Sequence, residues 1–270
     1  MNKLSKKEYW DSVYKDMESS HEGNKLKGWI KNQTRDYSNF LFWDVLFPKY
    51  LPKEAGMKII EVGCAPGKYI LNFKNKFGYD PYGVEYSKDG VELTRRDFES
   101  SGLNTDNIIE ADFFDENFQK INKENFDLVF SRGFIEHFDD AKNVVEKHLN
   151  LIKKEGYIII SIPNISGINK LLAKLFNIDS YNLHNISIMN RKVFGELFSS
   201  NIVDVLYCDY VGIFSFGLFN TNKKWKFYLY RILLLIQRPF DFVLRLFFKN
   251  NILKSRFSSP YILFIGKKKC

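Results

Sequence analysis

The stretch Ile59-Ile60-Glu61-Val62-Gly63-Cys64-Ala65-Pro66-Gly67 decides the fold. Its β-branched residues suit a parallel strand buried on both faces, and its two glycines bracket a tight turn where backbone approaches a ligand. Outward from it, between Met57 and Ile162, short apolar runs alternate with polar helical stretches. The pattern predicts strands over Lys58–Val62, Pro81–Glu85, Asn107–Ala111, Phe126–Ser131 and Tyr157–Ile162, with helices near Gly67–Lys76, Lys88–Ser101, Glu116–Asn122 and Asp139–Ile152. That alternation is the mark of βαβ units, hence of an α/β fold with helices on both faces of a parallel sheet. A helix over Arg191–Ser199 and strands over Val203–Val211 and Tyr261–Gly266 are expected downstream, with helices at Glu8–Met17 and Asp36–Phe47 upstream.

A chain of 270 residues with 45% hydrophobic and 27% charged content has the length and composition to bury a full core. Its three cysteines, Cys64, Cys208 and Cys270, fit neither a disulfide framework nor a zinc pattern, which favours a reducing compartment. The N-terminus lacks the apolar core of a signal peptide. A cytoplasmic location is therefore expected, with association to the inner face of the membrane left open. The formal net charge of +8 is concentrated: Gly212–Ser259 holds nine basic residues and a single acid, Asp241.

In an open parallel sheet, ligands bind at the carboxyl ends of the strands. The first strand delivers the glycine turn, whose amides suit an anionic or carboxylate group. The second ends in Glu85-Tyr86, an acid placed to accept both hydroxyls of a ribose. The third ends in Asp112-Phe113, an acid and an aromatic suited to an exocyclic amine and a flat base. The fourth ends in Ser131-Arg132-Gly133, with Glu136-His137 just beyond. A nicotinamide site also needs a glycine turn and a ribose acid, but it wants G-x-G-x-x-G, and here Ala65 stands at the middle glycine.

These residues together resemble the class I S-adenosylmethionine-dependent methyltransferases, in the small-molecule branch of ubiquinone-biosynthesis O-methyltransferases and sugar methyltransferases. The matching pieces are Glu61 through Gly67, Glu85, Asp112-Phe113, Ile135 through Phe138, and the run from His184 to Phe194. Pro66 departs from the Gly-Thr or Gly-Ser usual in that branch. The resemblance implies a seven-stranded Rossmann-like sheet with the last strand antiparallel, and S-adenosyl-L-methionine as cofactor. It implies cofactor contacts from Glu61, Gly63, Cys64, Ala65, Gly67, Glu85, Tyr86, Asp112, Phe113, Ser131 and Gly133. A helical lid over residues 1–55, carrying Tyr9, Trp10 and Tyr14, is expected to fold over the cofactor. The core is expected over 56–211 and 260–270, with a basic helical insertion over 212–259 between strands six and seven.

Methyl transfer to a hydroxyl needs a base, and His137 stands where the acceptor is expected to lie. A structural role for His137 is the competing reading. His184, in the long connection from Pro163 to Asn190, is the second catalytic candidate, against an ordinary surface histidine. His148 falls inside a predicted helix and is given no role. No metal site is expected. In the insertion, Trp225, Tyr228, Leu229, Ile232 and Ile236 form one helical stripe, Pro239 breaks it, and Phe240, Val243, Leu244 and Phe247 resume it, predicting a hairpin of two amphipathic helices. That pair fits a cap over the pocket, a dimer face or a membrane-surface contact, while nucleic acid is disfavoured because the cations are threaded among bulky aliphatics. The function expected is methylation of a small or lipid-linked acceptor, with O-methylation of a cell-surface glycan sugar preferred. A quinone or other lipid acceptor is the alternative within the class, and a non-enzymatic cofactor-binding scaffold the alternative outside it. The oligomeric state is left open.

Overall fold

The computed structural model describes residues 3–4, 9–11, 13–14, 36–219 and 224–270. Seven strands form one sheet: β1 (Lys58–Val62), β2 (Asp80–Glu85), β3 (Ile108–Glu110), β4 (Phe126–Arg132), β5 (Ile152–Pro163), β6 (Val203–Val211) and β7 (Tyr261–Lys268). Their order is β3-β2-β1-β4-β5-β7-β6, and β7 runs antiparallel to both of its neighbours. The predicted parallel core and antiparallel last strand are both present. Strand order reverses between β1 and β4, which pair in parallel from Ile59↔Leu128 to Glu61↔Phe130. The carboxyl ends of those two strands therefore flank the crevice where such sheets take ligands.

Alternation along each strand divides the core between two faces. Ile60, Val62, Val129, Ile158 and Ile160 point into one apolar cluster, and Ile59, Leu128, Phe130 and Ile159 point into the other. Each such fully buried side chain contributes about 1.5–3 kcal/mol. The upstream helix α1 is continuous from Tyr37–Phe40 through a π-helical turn, Leu41–Leu46, to Phe47–Tyr50. Helices α2 (Lys68–Phe77) and α3 (Lys88–Ser100) follow β1 and β2, while α4 (Glu116–Ile121) and α5 (Ala141–Leu151) follow β3 and β4. Sequence-local caps set where three of these begin: Ser87, Asp115 and Asp140 accept from the amides of Gly90, Phe118 and Asn143.

Helix α1 outruns its expected end at Phe47 and continues through Pro48 to Tyr50. Trp43 and Phe47 press onto Phe73 of α2 at 4.7 and 5.4 Å. The expected Glu8–Met17 helix is helical at 9–11 and 13–14, and its remaining residues lie outside the described ones.

The connection after β5 is more structured than a loop, containing α6 (Gly167–Phe176), the short α7 (Ile178–Asn182) and a 3-10 turn before α8 (Arg191–Glu196). The insertion differs more. Instead of a hairpin broken at Pro239, one helix, α9, runs unbroken over Lys224–Phe247. A proline disrupts a helix partly by removing the hydrogen bond to the carbonyl four residues back. Here the carbonyl freed by Pro239 belongs to Leu235, an exposed residue where water can satisfy it.

Candidate functional site

The turn after β1 is shaped by close approaches. Gly63 has φ +69°, its N–H donates to the Val84 carbonyl at 3.0 Å, and a Cβ there would sit 3.0 Å from the Phe134 ring. Gly67 has φ +85°, and a Cβ would come within 2.9 Å of the Thr94 methyl. L-side chains rarely adopt such backbone, so both positions need glycine. Behind the turn, the buried Glu61 carboxylate accepts from the Ile70 amide at 3.0 Å, tying the first turn of α2 to β1.

A cavity of about 140 Å³ opens at these strand tips, and its wall includes Gly63, Ala65, Glu85, Tyr86, Asp112, Phe113 and Gly133. Seven of the expected cofactor contacts are thus brought together. Trp10 and Tyr14 of the helical N-terminal residues also line it, where a lid was expected. Glu61, Cys64, Gly67 and Ser131 stand behind the wall. Cys64 is buried against Gly83, and the Ser131 hydroxyl pairs with His148 Nε2 at 3.1 Å.

Glu85 is held hard at one oxygen and open at the other. Oε1 accepts from the amides of Tyr86 and Ser87, both at 2.9 Å, while Oε2 has the Tyr14 hydroxyl at 3.5 Å. Burial pushes this carboxyl up and the amides pull it back. Asp112 accepts from the Phe114 amide at 3.0 Å and pairs with Lys3 at 2.7 Å. The backbone of residues 3–4 is fixed there, because the Leu4 amide donates to the His137 carbonyl at 2.9 Å.

A second cavity of about 290 Å³ adjoins the first, and Trp10, Arg132, Gly133 and His137 belong to both walls. Its remaining lining includes Tyr69, Glu136, Ile165, His184, Phe219 and Tyr261. His137 and His184, the two catalytic candidates, meet with ring centroids 4.6 Å apart. His137 Nδ1 lies 3.0 Å from the Leu183 carbonyl, which can only accept, so Nδ1 carries the proton and Nε2 is bare. Burial and the neighbouring His184 push His137 down to about 3, so its ring is neutral near pH 7.

Three groups near this junction have surroundings that the sequence did not show. Arg132 lies among the rings of Phe42, Tyr69 and Tyr261 at 4.8, 4.9 and 4.4 Å and donates to Asn39 Oδ1 at 2.9 Å. Glu136 is fully buried with no hydrogen bond to either carboxylate oxygen among the described residues, and burial pushes it up to about 8. One ligand atom each from Glu136, His137 and His184 lie within 4.8 Å of one another, a donor set that could hold a divalent cation where no metal site was expected. The third is His148, which is fully buried behind the site instead of merely occupying a helix. The Glu136-His137 dipeptide is a visible signal; the arrival of His184 through the long connection after β5 is not.

These groups predict how stability depends on pH. Burial pushes His148 down to about 4 as well. An unfolded chain protonates both histidines near 6.5, so their contribution is present above that pH and is lost as pH falls toward 4. Glu136 has the opposite sign: the folded form keeps its proton up to about 8, the unfolded form only to 4.5, so stability drains as pH rises through that window. In chelator-treated protein, thermal melts should peak near pH 6.5, and Glu136→Gln should flatten the fall between pH 6.5 and 8. A fall of unchanged slope in that variant would remove Glu136 as its source.

Comparison with known proteins assigns this architecture. Residues 53–233 match the sequence profile described as Methyltransferase domain. The chain belongs to that family. The matched profile makes residues 53–233 a methyltransferase domain. Among curated proteins, the ubiquinone biosynthesis O-methyltransferase of Glaesserella parasuis is 25% identical over 111 residues, 40% of this chain and 46% of that protein. The mitochondrial ubiquinone biosynthesis O-methyltransferase of Dictyostelium discoideum is 28% identical over 137 residues, 47% of this chain and 41% of that one. The chain thus aligns with less than half the length of either relative. A chain of the complex containing the Haloferax volcanii Trm112 methyltransferase activator superposes with a TM-score of 0.57 at 15% identity, covering 97% of this chain and 96% of that one. Geranyl diphosphate C-methyltransferase of Streptomyces coelicolor, solved with Mg2+, geranyl diphosphate and S-adenosyl-L-homocysteine, gives 0.55 at 14% identity, covering 86% and 78%. At such identities the likeness is one of fold.

Proposed function

We propose that this methyltransferase acts on a hydroxyl of a lipid-linked acceptor, with His137 taking the proton. The observation that carries the reading is the position of His137 on the wall common to both cavities, neutral and with Nε2 bare. S-adenosylmethionine supplies an electrophilic methyl on a sulfonium, and the protein's task is to align the acceptor and exclude water. With the donor bound, the acceptor hydroxyl would be held in line with the methyl group and its proton would pass to Nε2 of His137. Glu85 would hold the ribose, Asp112 and Phe113 the adenine, and the turn at Gly63 the methionine portion. Glu136, kept neutral by burial, and His184 beside His137 then shape the far side of the acceptor.

Two observations narrow the acceptor. The second cavity offers rings and aliphatic surface from Tyr69, Ile165, Phe219 and Tyr261, which favour a flat or lipid-borne group. A phenol-like hydroxyl, with a pKa of about 10, gives up its proton to any base far more readily than a sugar alcohol does. A quinol-type lipid is therefore placed ahead of the glycan sugar. The curated relatives are ubiquinone biosynthesis O-methyltransferases, which agrees with that order. The test is transfer from methyl-labelled S-adenosylmethionine into a membrane lipid extract followed by fractionation. Label in an isoprenoid phenol is expected; label in a glycolipid would replace the phenol by the sugar. Donor binding with no label in any lipid fraction would remove the lipid acceptor.

A further inference from the structure

Helix α9 carries apolar residues on both of its sides, and Leu229, Tyr230 and Leu233 pack against the core. Its inward side buries Gln237 and Asp241 with Leu244, and Gln237 donates to Asp241 Oδ2 at 3.0 Å while accepting from the Phe216 amide at 2.7 Å. Most of the apolar stripe read from the sequence faces out: Tyr228, Ile232, Ile236, Phe240 and Phe247 are 69%, 54%, 62%, 49% and 75% exposed, while Leu229 is half-buried and Leu244 buried. A helix washed by water on its outer face carries polar residues there.

Charge says what covers that face. Arg231, Arg238 and Arg245 recur every seventh residue, so they form one line along the helix. Arg231 and Arg238 are exposed, Arg245 is half-buried over the Phe40 ring at 5.3 Å, and Lys249 follows just beyond the helix. The helix's one acid, Asp241, is buried beside that row on its inward side, three residues from Arg238 and four from Arg245. A row of cations edging an aromatic and aliphatic face, with no exposed carboxylate on the helix, is complementary to an anionic lipid surface. A second copy laid on the same face would bring more arginines and no helix acid to meet them. No described helix is long and apolar enough to cross a membrane, so α9 would lie in the surface plane.

The patch is continuous with the acceptor cavity. The Tyr230 ring of α9 lies 6.5 Å from Phe176 of α6, and Lys226 donates to the Leu175 carbonyl. On α6, Leu171 and Leu175 face outward one turn apart, while Ala173 between them lines the second cavity. We infer that the outer faces of α9 and α6 dock this enzyme on an anionic bilayer, with the acceptor cavity beside the lipid. The inference rests on the lipid-acceptor reading above and extends it to the surface from which the substrate is taken.

The test is co-sedimentation of the full chain with phosphatidylcholine vesicles, with or without roughly a third phosphatidylglycerol. Binding at least about 10-fold stronger to the anionic vesicles is expected, weakening as salt screens the arginine row. The double variant R231E/R238E should lose that preference, and Ile236→Ser with Phe247→Ser should lower binding to both vesicles. Each variant is checked for folding by its binding of S-adenosylhomocysteine. A chain that binds S-adenosylhomocysteine but neither vesicle overturns the inference. So does a dimer in sedimentation velocity that the Ile236 and Phe247 substitutions dissociate. Transfer to detergent-dispersed lipid without vesicle binding would sink the docking surface alone, and vesicle binding without transfer would sink the acceptor alone.

Discussion

Glu85→Ala should abolish measurable binding of S-adenosylhomocysteine. The carboxylate is buried at the tip of β2, with Oε1 saturated by the amides of Tyr86 and Ser87 and Oε2 turned toward Tyr14 and the cavity. A ribose diol donates two hydrogen bonds to such a charged acceptor, each contributing about 1.5–3 kcal/mol. Losing both weakens binding by roughly 100-fold or more, since about 1.4 kcal/mol is tenfold. Alanine also leaves two buried amides without their acceptor, so the variant's melting temperature belongs beside its binding isotherm. Glu85→Gln keeps the shape and should bind weakly yet melt close to the parent. Normal affinity in either variant would mean that the ribose lies elsewhere.

His137→Ala should lower turnover by about 10²–10⁴-fold, the usual range for a positioned base, while affinity for S-adenosylhomocysteine changes little. The ring sits on the wall common to both cavities, so its loss touches the acceptor side without removing Glu85 or Asp112. It does remove the hydrogen bond to the Leu183 carbonyl and the packing on Trp10 at 5.3 Å. His137→Gln, which restores a polar side chain of similar reach without a proton acceptor of comparable basicity, separates support from base catalysis. Recovered turnover with glutamine would assign His137 to positioning. His184→Ala should have a smaller effect, because His184 lines the second cavity but not the first.

The parts of this molecule that are legible in its sequence are those fixed by local chemistry. Ile59 through Gly67 announces a buried strand and a left-handed turn because β-branched residues and glycines have few other uses in that order. Ser87, Asp115 and Asp140 mark helix starts for the same reason. The acids at strand tips follow once the strands are in place. What stays hidden depends on distant partners. Arg132 looks like a loop cation until Phe42, Tyr69 and Tyr261, from three separate elements, close around it. Glu136 and His137 meet His184 only through the fold of the connection after β5. In α9 the apolar period is legible but not its direction, because periodicity gives a stripe without saying which side the protein occupies. Pro239 misleads for a related reason: a proline interrupts a helix less when the carbonyl it strands is exposed, as at Leu235.

Isothermal titration of the chain with S-adenosylhomocysteine, alongside reduced and oxidised nicotinamide dinucleotides, is the most direct test. Heat of saturable 1:1 binding with the nucleoside and none with the dinucleotides is expected. Silence with the nucleoside and a clear isotherm with a dinucleotide would contradict the account.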